Sequence, residues 1–198
     1  MDTKRWVILL LALAAFGWWT SPPLGRSRPP GVLAPEVPVQ DDLQDAPVIE
    51  RGEYRLKPLA NFRVEARVLG REDYRFDEGA SLSPMDLALG WGRMSDSAVL
   101  DQLDIDQGVR FYSYRWRNAP PLPPQEMVES SANMHLVPAD AGVEHALRRV
   151  RRGDVVRIEG LLIEARRSDG FLWRSSLTRK DSGAGACELV YVTSVARF

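Results

Sequence analysis

His135, Cys187 and Ser175 are the side chains in this sequence that could combine as a base and a nucleophile. An imidazole titrating near neutral pH accepts a proton from a thiol or hydroxyl. A nucleophile within hydrogen-bond reach of such a base is the core of covalent acyl transfer. One reading is therefore a hydrolase in which Cys187 or Ser175 attacks and His135 is the base, with Ser176 beside Ser175. The flanking residues do not complete it. There is no G-x-S-x-G turn, and Gly185-Ala186-Cys187-Glu188 fits no cysteine-protease signature. The catalytic set stays unassigned. The competing reading is a hydrogen-bonded strand histidine, with Cys187 as a small buried apolar group.

A second set is suited to binding. Asp86, Trp91 and Arg93 cluster with Asp96 around Gly90 and Gly92, in a stretch too irregular for a plain element; structured loops carry function disproportionately. Tyr112, Tyr114 and Trp116 recur at i, i+2, i+4, which puts all three on one side of a strand. Such a face is either core or an aromatic groove for a glycan or protein. Arg148, Arg149, Arg151 and Arg152 could meet phosphate, so a small barrel binding an anionic polymer is the third reading. Metal chemistry lacks its ligands. Two histidines and one cysteine cannot build a zinc cage. Asp101, Asp104 and Asp106 have calcium-like spacing, but Gly108 is misplaced for an EF-hand loop and no glutamate closes it. No metal and no cofactor are expected.

These residues need elements to position them. Phe62, Val64, Ala66 and Val68 alternate with charged neighbours, the period of a strand with one wet face. Arg110 to Trp116 reads as an aromatic strand, broken by the prolines between Pro120 and Pro124. Met134 to Val137 is a short strand stopped by Pro138. Val143, Ala146, Leu147 and Val150 fall at helical spacing, with Asp140 as N-cap and Gly153 as terminator. Val155 to Ala165 is the strongest strand; its apolar parity changes at Gly160, which predicts a β-bulge. Leu189 to Val195 is the last strand. A helix capped by Ser95 or Asp96 runs to about Leu103, and Leu82 to Trp91 is helix or irregular. The sum is a mainly β domain: a small curved sheet or barrel, OB-like or SH3-like, with two short helices. An open α+β sheet is the alternative.

Upstream, Lys4 and Arg5 precede an apolar run from Trp6 to Trp19, ended by Thr20-Ser21-Pro22-Pro23. This is the layout of a secretory signal. About 14 residues make roughly 21 Å of helix, short against the ~20 residues of a comfortable span. Trp18 and Trp19 suit the headgroup region, and cutting at Ala12-Leu13-Ala14 would leave a core of about eight residues. The reading is a signal-anchor over residues 1–20, single-pass in the inner membrane through residues 6–19 with the bulk in the periplasm. The alternative is a cleaved signal and secretion to the periplasm. Residues 21–50, rich in proline, read as an extended tether, and residues 51–198 as one globular mostly β domain. Net charge is −1 from 26 basic and 27 acidic residues, which is not a nucleic-acid composition. A single cysteine rules out an intramolecular disulfide.

Four strings carry a resemblance. They are Leu82-Ser83-Pro84-Met85-Asp86-Leu87-Ala88-Leu89-Gly90-Trp91-Gly92, Ala132-Asn133-Met134-His135-Leu136-Val137-Pro138-Ala139, Gly153-Asp154-Val155-Val156-Arg157-Ile158-Glu159-Gly160, and Ser175-Ser176-Leu177-Thr178-Arg179 with Gly185-Ala186-Cys187-Glu188. Over about Leu82 to Val192 the chain resembles an uncharacterised group of bacterial proteins with an N-terminal membrane segment. No activity is attached to that group. The resemblance implies a bacterial envelope setting and assigns no functional residue. The expectation for function is a membrane-tethered envelope domain that binds a protein or glycan partner without chemistry. Envelope hydrolase and anionic-polymer binder are the alternatives.

Overall fold

The structure, a computed structural model, describes residues 25–180 and 186–198. Its strands are β1 (Val39–Asp42), β2 (Ile49–Arg51), β3 (Tyr54–Asp73), β4 (Met85–Gly90), β5 (Leu103–Gly108), β6 (Phe111–Trp116), β7 (Ser131–Pro138), β8 (Val155–Arg167), β9 (Leu172–Arg174) and β10 (Glu188–Arg197); its α-helices are α1 (Ser97–Leu100), α2 (Pro124–Glu129) and α3 (Ala141–Arg148).

β3 organises the chain because it is long enough to serve two neighbours. Tyr54 to Arg67 pair antiparallel with β8, and Arg67 to Asp73 with β4. β4 pairs antiparallel with β7, β7 runs parallel to β10, and β10 returns antiparallel to β8. The ring β3-β4-β7-β10-β8-β3 is thus closed. One parallel contact joins β7 and β10, and α3 links β7 to β8. This is the connectivity of an OB-type barrel, and it makes the fold mainly β, without the free sheet edges of an open α+β layer. The alternating residues Phe62, Val64, Ala66 and Val68 point into the interior with Leu87, Leu89, Leu136, Ile158 and Val190, joined by Leu147 of α3.

The bulge expected at Gly160 is not in β8: its register is unbroken, Val156, Ile158 and Leu162 all face the barrel interior, and Leu161, Ile163 and Ala165 pack on the other face against a second cluster, while the extra residues sit in the partner strands. β3 bulges at Leu59, between the pairs Pro58–Ile163 and Ala60–Leu162, and β10 bulges at Thr193. Gly160 is glycine for another reason. A Cβ there would stand 2.0 Å from the Tyr191 carbonyl oxygen, so the β10 backbone crosses where a side chain would be.

Several expectations need correction. Leu82 to Trp91 contains β4, a strand with every residue buried. It shows no alternation because Leu87 and Leu89 fill the barrel while Ala88 lies under the inserted segment 91–130. The helix expected to reach Leu103 is the single turn α1. Asp96 does cap it, accepting from the Ala98 N–H, but Leu103 already belongs to β5. The proline loop ends in a helix, α2, with Pro124 at its first turn, where a missing N–H costs nothing. The stretch read as a tether is bound to the barrel from Arg26 onward. β1 pairs with Ala60–Arg63, β2 with Tyr54–Leu56, and the Leu33 and Ala34 N–H groups donate to Ser95 Oγ, each at 3.0 Å. Proline tolerates such extended edge positions, and residues 39–42 contain none.

The transmembrane-helix expectation is also corrected: among the described residues no helix is long and apolar enough to cross a membrane. The apolar run 6–19, with the signal-anchor reading placed on it, lies outside the described residues.

Candidate functional site

The outward face of β4 and β7 carries Asp86, Asn133 and His135. β-register sets Asp86 opposite His135, and Nδ1 of the ring stands 2.9 Å from Asp86 Oδ2. That approach is out of line for a hydrogen bond. Asp86 has no exposure to solvent. A buried carboxylate must be paired, and Arg110 supplies the pair, donating from Nη1 to Oδ1 at 2.9 Å. Asn133 Nδ2 donates to Oδ2 at 3.2 Å, and Gln107 Nε2 to Asn133 Oδ1 at 2.8 Å.

Arg110 is the centre of this network. Nη2 and Nε donate to Asp77 at 2.8 and 3.1 Å, and the guanidinium lies 3.7 Å over the Tyr74 ring. Its backbone N–H donates to the Tyr74 hydroxyl at 2.9 Å; its carbonyl accepts from Asn133 Nδ2 at 3.0 Å and from Cys187 Sγ at 3.9 Å. Burial, followed by the Asp86 charge, pushes the Tyr74 phenol up to about 12. Arg110 occupies a two-residue hairpin turn in which Val109 has φ 50° and Arg110 φ 67°. Such type I′ turns favour Asn-Gly, and a β-branched residue there costs of order 1–3 kcal/mol. The side-chain and backbone contacts of Arg110 hold the turn.

The hairpin β5–β6 roofs the barrel face. Ile105, Tyr112 and Tyr114 pack with Leu103 against Leu69, Ala88 and Met127. Beside β6 a groove of about 260 Å³ remains, walled by Phe111, Tyr112, Ser113 and Tyr114 on one side and by Thr178, Arg179 and Ala186 to Glu188 on the other, with Ser131 and Asn133 beneath. Tyr112 donates from its hydroxyl to Ser131 Oγ, which donates on to the Met127 carbonyl; burial raises the Tyr112 phenol. On the far wall, Arg179 Nε stands 2.8 Å from Glu188 Oε1. A second cavity of about 390 Å³ shares Phe111 and Cys187 with the groove. It adds Arg110, His135, Leu172, Trp173 and Arg174, and the Trp173 ring lies 4.7 Å from that of His135.

Of the residues singled out in the sequence, Asp86, His135, Cys187 and Tyr114 meet here. Ser175 does not. Its buried hydroxyl donates to the Ser176 carbonyl at 2.8 Å and accepts from the Leu189 N–H at 3.1 Å, so it braces a strand entry. Ser176 Oγ donates to the Thr178 carbonyl at 3.0 Å. Trp91, expected as a binding residue, is buried in the barrel core. Arg93 lies at the surface, paired with Glu126. Trp116 shares the Tyr114 side of β6 but lies at the hairpin's far end, outside both cavities. Asp101 caps α1, while Asp104 and Asp106 face solvent along β5. Among the described residues no His, Cys, Asp and Glu group is arranged to hold a metal ion. Sequence reasoning missed Arg110, Trp173, Arg179 and the network role of Asn133. The available hint was a lone amide, Asn133, in an otherwise apolar strand.

Compared with protein-family models, with curated proteins and with solved structures, the chain matches none.

Proposed function

We propose that this chain is a binding domain of the bacterial envelope, and that its partner is a protein that lays an extended segment along the free edge of β6. The observation that carries this reading is the outer edge of β6, which no strand among the described residues pairs. The β5–β6 hairpin is a separate two-stranded sheet. Its turn residues are flanked by the pair Gly108–Phe111, which in a two-residue hairpin exchanges both backbone bonds. Alternation then directs the N–H and C=O groups of Tyr112 and Tyr114 away from β5, toward the groove. Edge strands left open are templates for another chain. The groove is smaller than the 300–1,000 Å³ of most small-molecule sites and has exposed rim residues at Phe111, Ser113 and Thr178. It suits a length of chain laid across it. An extracytoplasmic setting draws support from the leader-like residues 1–20 and from the resemblance described above.

The hydrolase alternative loses its serine arm, because Ser175 and Ser176 are spent on backbone partners. His135 faces Asp86 and packs against Trp173 with the two rings tilted by 53°, which suits a structural role.

Display of random ten-residue peptides on the full chain tests the proposal. Selected binders should be β-prone sequences that lose at least tenfold in affinity to Ala186→Trp, which narrows the groove, at an unchanged urea midpoint. Binders indifferent to that substitution would refute it.

A further inference from the structure

The barrel end at which the described chain begins is strongly basic. Gly25 packs against Arg152, and the Arg26 N–H donates to the Arg152 carbonyl at 2.7 Å. Arg26 and Arg197 share one fully buried carboxylate, Asp154, at 3.0 and 3.7 Å. Among the described residues Arg28 donates to the Gly153 carbonyl and to a main-chain oxygen of Phe198. Arg149, Arg151 and Arg152 are exposed, and no ion pair to any of them occurs among the described residues. Of these six arginines only Arg26 and Arg197 have a side-chain carboxylate partner among the described residues, the buried Asp154.

Cations at the end of α3 could simply answer its helix dipole. That role is already filled. Arg71 donates to the carbonyls of Leu147, Arg148 and Val150, and Arg197 to that of Arg149. The side chains of Arg149, Arg151 and Arg152 are surplus to it.

Position along the chain supplies the second argument. Trp19, the last residue of the apolar run, precedes Gly25 by six positions, which an extended chain spans in roughly 20 Å. The basic face is therefore leashed close to the one segment of the sequence apolar enough to enter lipid. We infer that this face docks on an anionic phospholipid bilayer, with Arg149, Arg151 and Arg152 meeting the headgroup phosphates. The groove beside β6 plays no part in it. Each arginine near such a surface strengthens binding about fivefold, and three together of order 100-fold.

Full-length protein is partitioned onto vesicles of phosphatidylcholine alone and of phosphatidylcholine with about one third phosphatidylglycerol, at low and high salt. Because residues 6–19 can enter either bilayer, the quantity read is the anionic-to-neutral ratio. The ratio should be large at low salt, collapse in concentrated salt, and fall by of order 100-fold in R149Q/R151Q/R152Q. Unchanged far-ultraviolet circular dichroism and urea midpoint establish that the triple variant is folded. An equal partition of wild type between the two vesicles would overturn the inference. So would a triple variant that keeps the wild-type ratio, or one that keeps it while losing affinity for soluble polyphosphate.

Discussion

Replacing Arg110 by methionine keeps most of the stem and removes the charge that answers Asp86. Asp86 is fully buried, Arg110 is 15% exposed, and their oxygen and nitrogen are 2.9 Å apart. Taking one partner from such a pair leaves a charge that cannot reach water, at a cost of about 3–5 kcal/mol. The Asp77 pair, with its carboxylate 38% exposed, adds at most about 1 kcal/mol. The loss of stacking on Tyr74 adds about 0.5–2 kcal/mol. Arg110→Met should therefore lose roughly 3.5–8 kcal/mol, a large part of the 5–15 kcal/mol typical of a domain. Asp86→Asn keeps a side chain that can bond Asn133, so R110M/D86N should recover of order 2–3 kcal/mol over R110M. Urea unfolding followed by tryptophan fluorescence gives all four corners of the cycle. A loss under about 1 kcal/mol for Arg110→Met, or singles that simply add in the double variant, would refute the view that this pair anchors the hairpin.

Three further outcomes follow from the same contacts. Val109→Asn should raise stability by about 1 kcal/mol, since asparagine accepts the left-handed backbone that valine resists; a lowered urea midpoint would contradict the strain argument. Ser175→Ala should cost about 1–3 kcal/mol by stranding the buried Leu189 N–H, and a fully stable variant would mean that the hydroxyl is not structural. Tyr74 has a folded pKa of about 12 against an ordinary 10.0, so the stability it contributes is present below pH 10 and is lost as pH rises through 12. Urea midpoints should decline from pH 10 upward, and Tyr74→Phe should make that decline shallower; an identical slope in the variant would exclude Tyr74 as its source.

How far the fold could be read depended on how each element is buried. β8, β7 and β10 were visible because each keeps a period or a proline stop. So was α3, whose Asp140 side chain accepts from the Val143 N–H as expected. β4 was hidden because burial on both faces erases alternation, leaving an apolar run that fits a helix as well as a strand. The hairpin β5–β6 was half visible. Its turn, Val109-Arg110, contains neither Asn nor Gly, so nothing local marks it, and in Leu103 to Gly108 only the calcium-like spacing of Asp104 and Asp106 stands out. Gly153 looked like a helix terminator; its φ is +87°, and a Cβ there would stand 2.0 Å from the Arg26 carbonyl oxygen, a contact with the supposed tether. The site was legible as residue types. Asp86 and His135 drew attention, but their meeting depends on the β4–β7 register, and Arg110 joins them only through a strained turn distant from both in sequence.

The central claim is that the outer edge of β6 accepts a partner's backbone. Amide hydrogen exchange with a groove-selected peptide reads this directly. Tyr112 and Tyr114 should exchange at open-edge rates in the free protein and slow by at least tenfold on binding, while Ser113, bonded inward to Asp106, changes little. Protection that appears elsewhere, with Tyr112 and Tyr114 unaffected, would contradict the account.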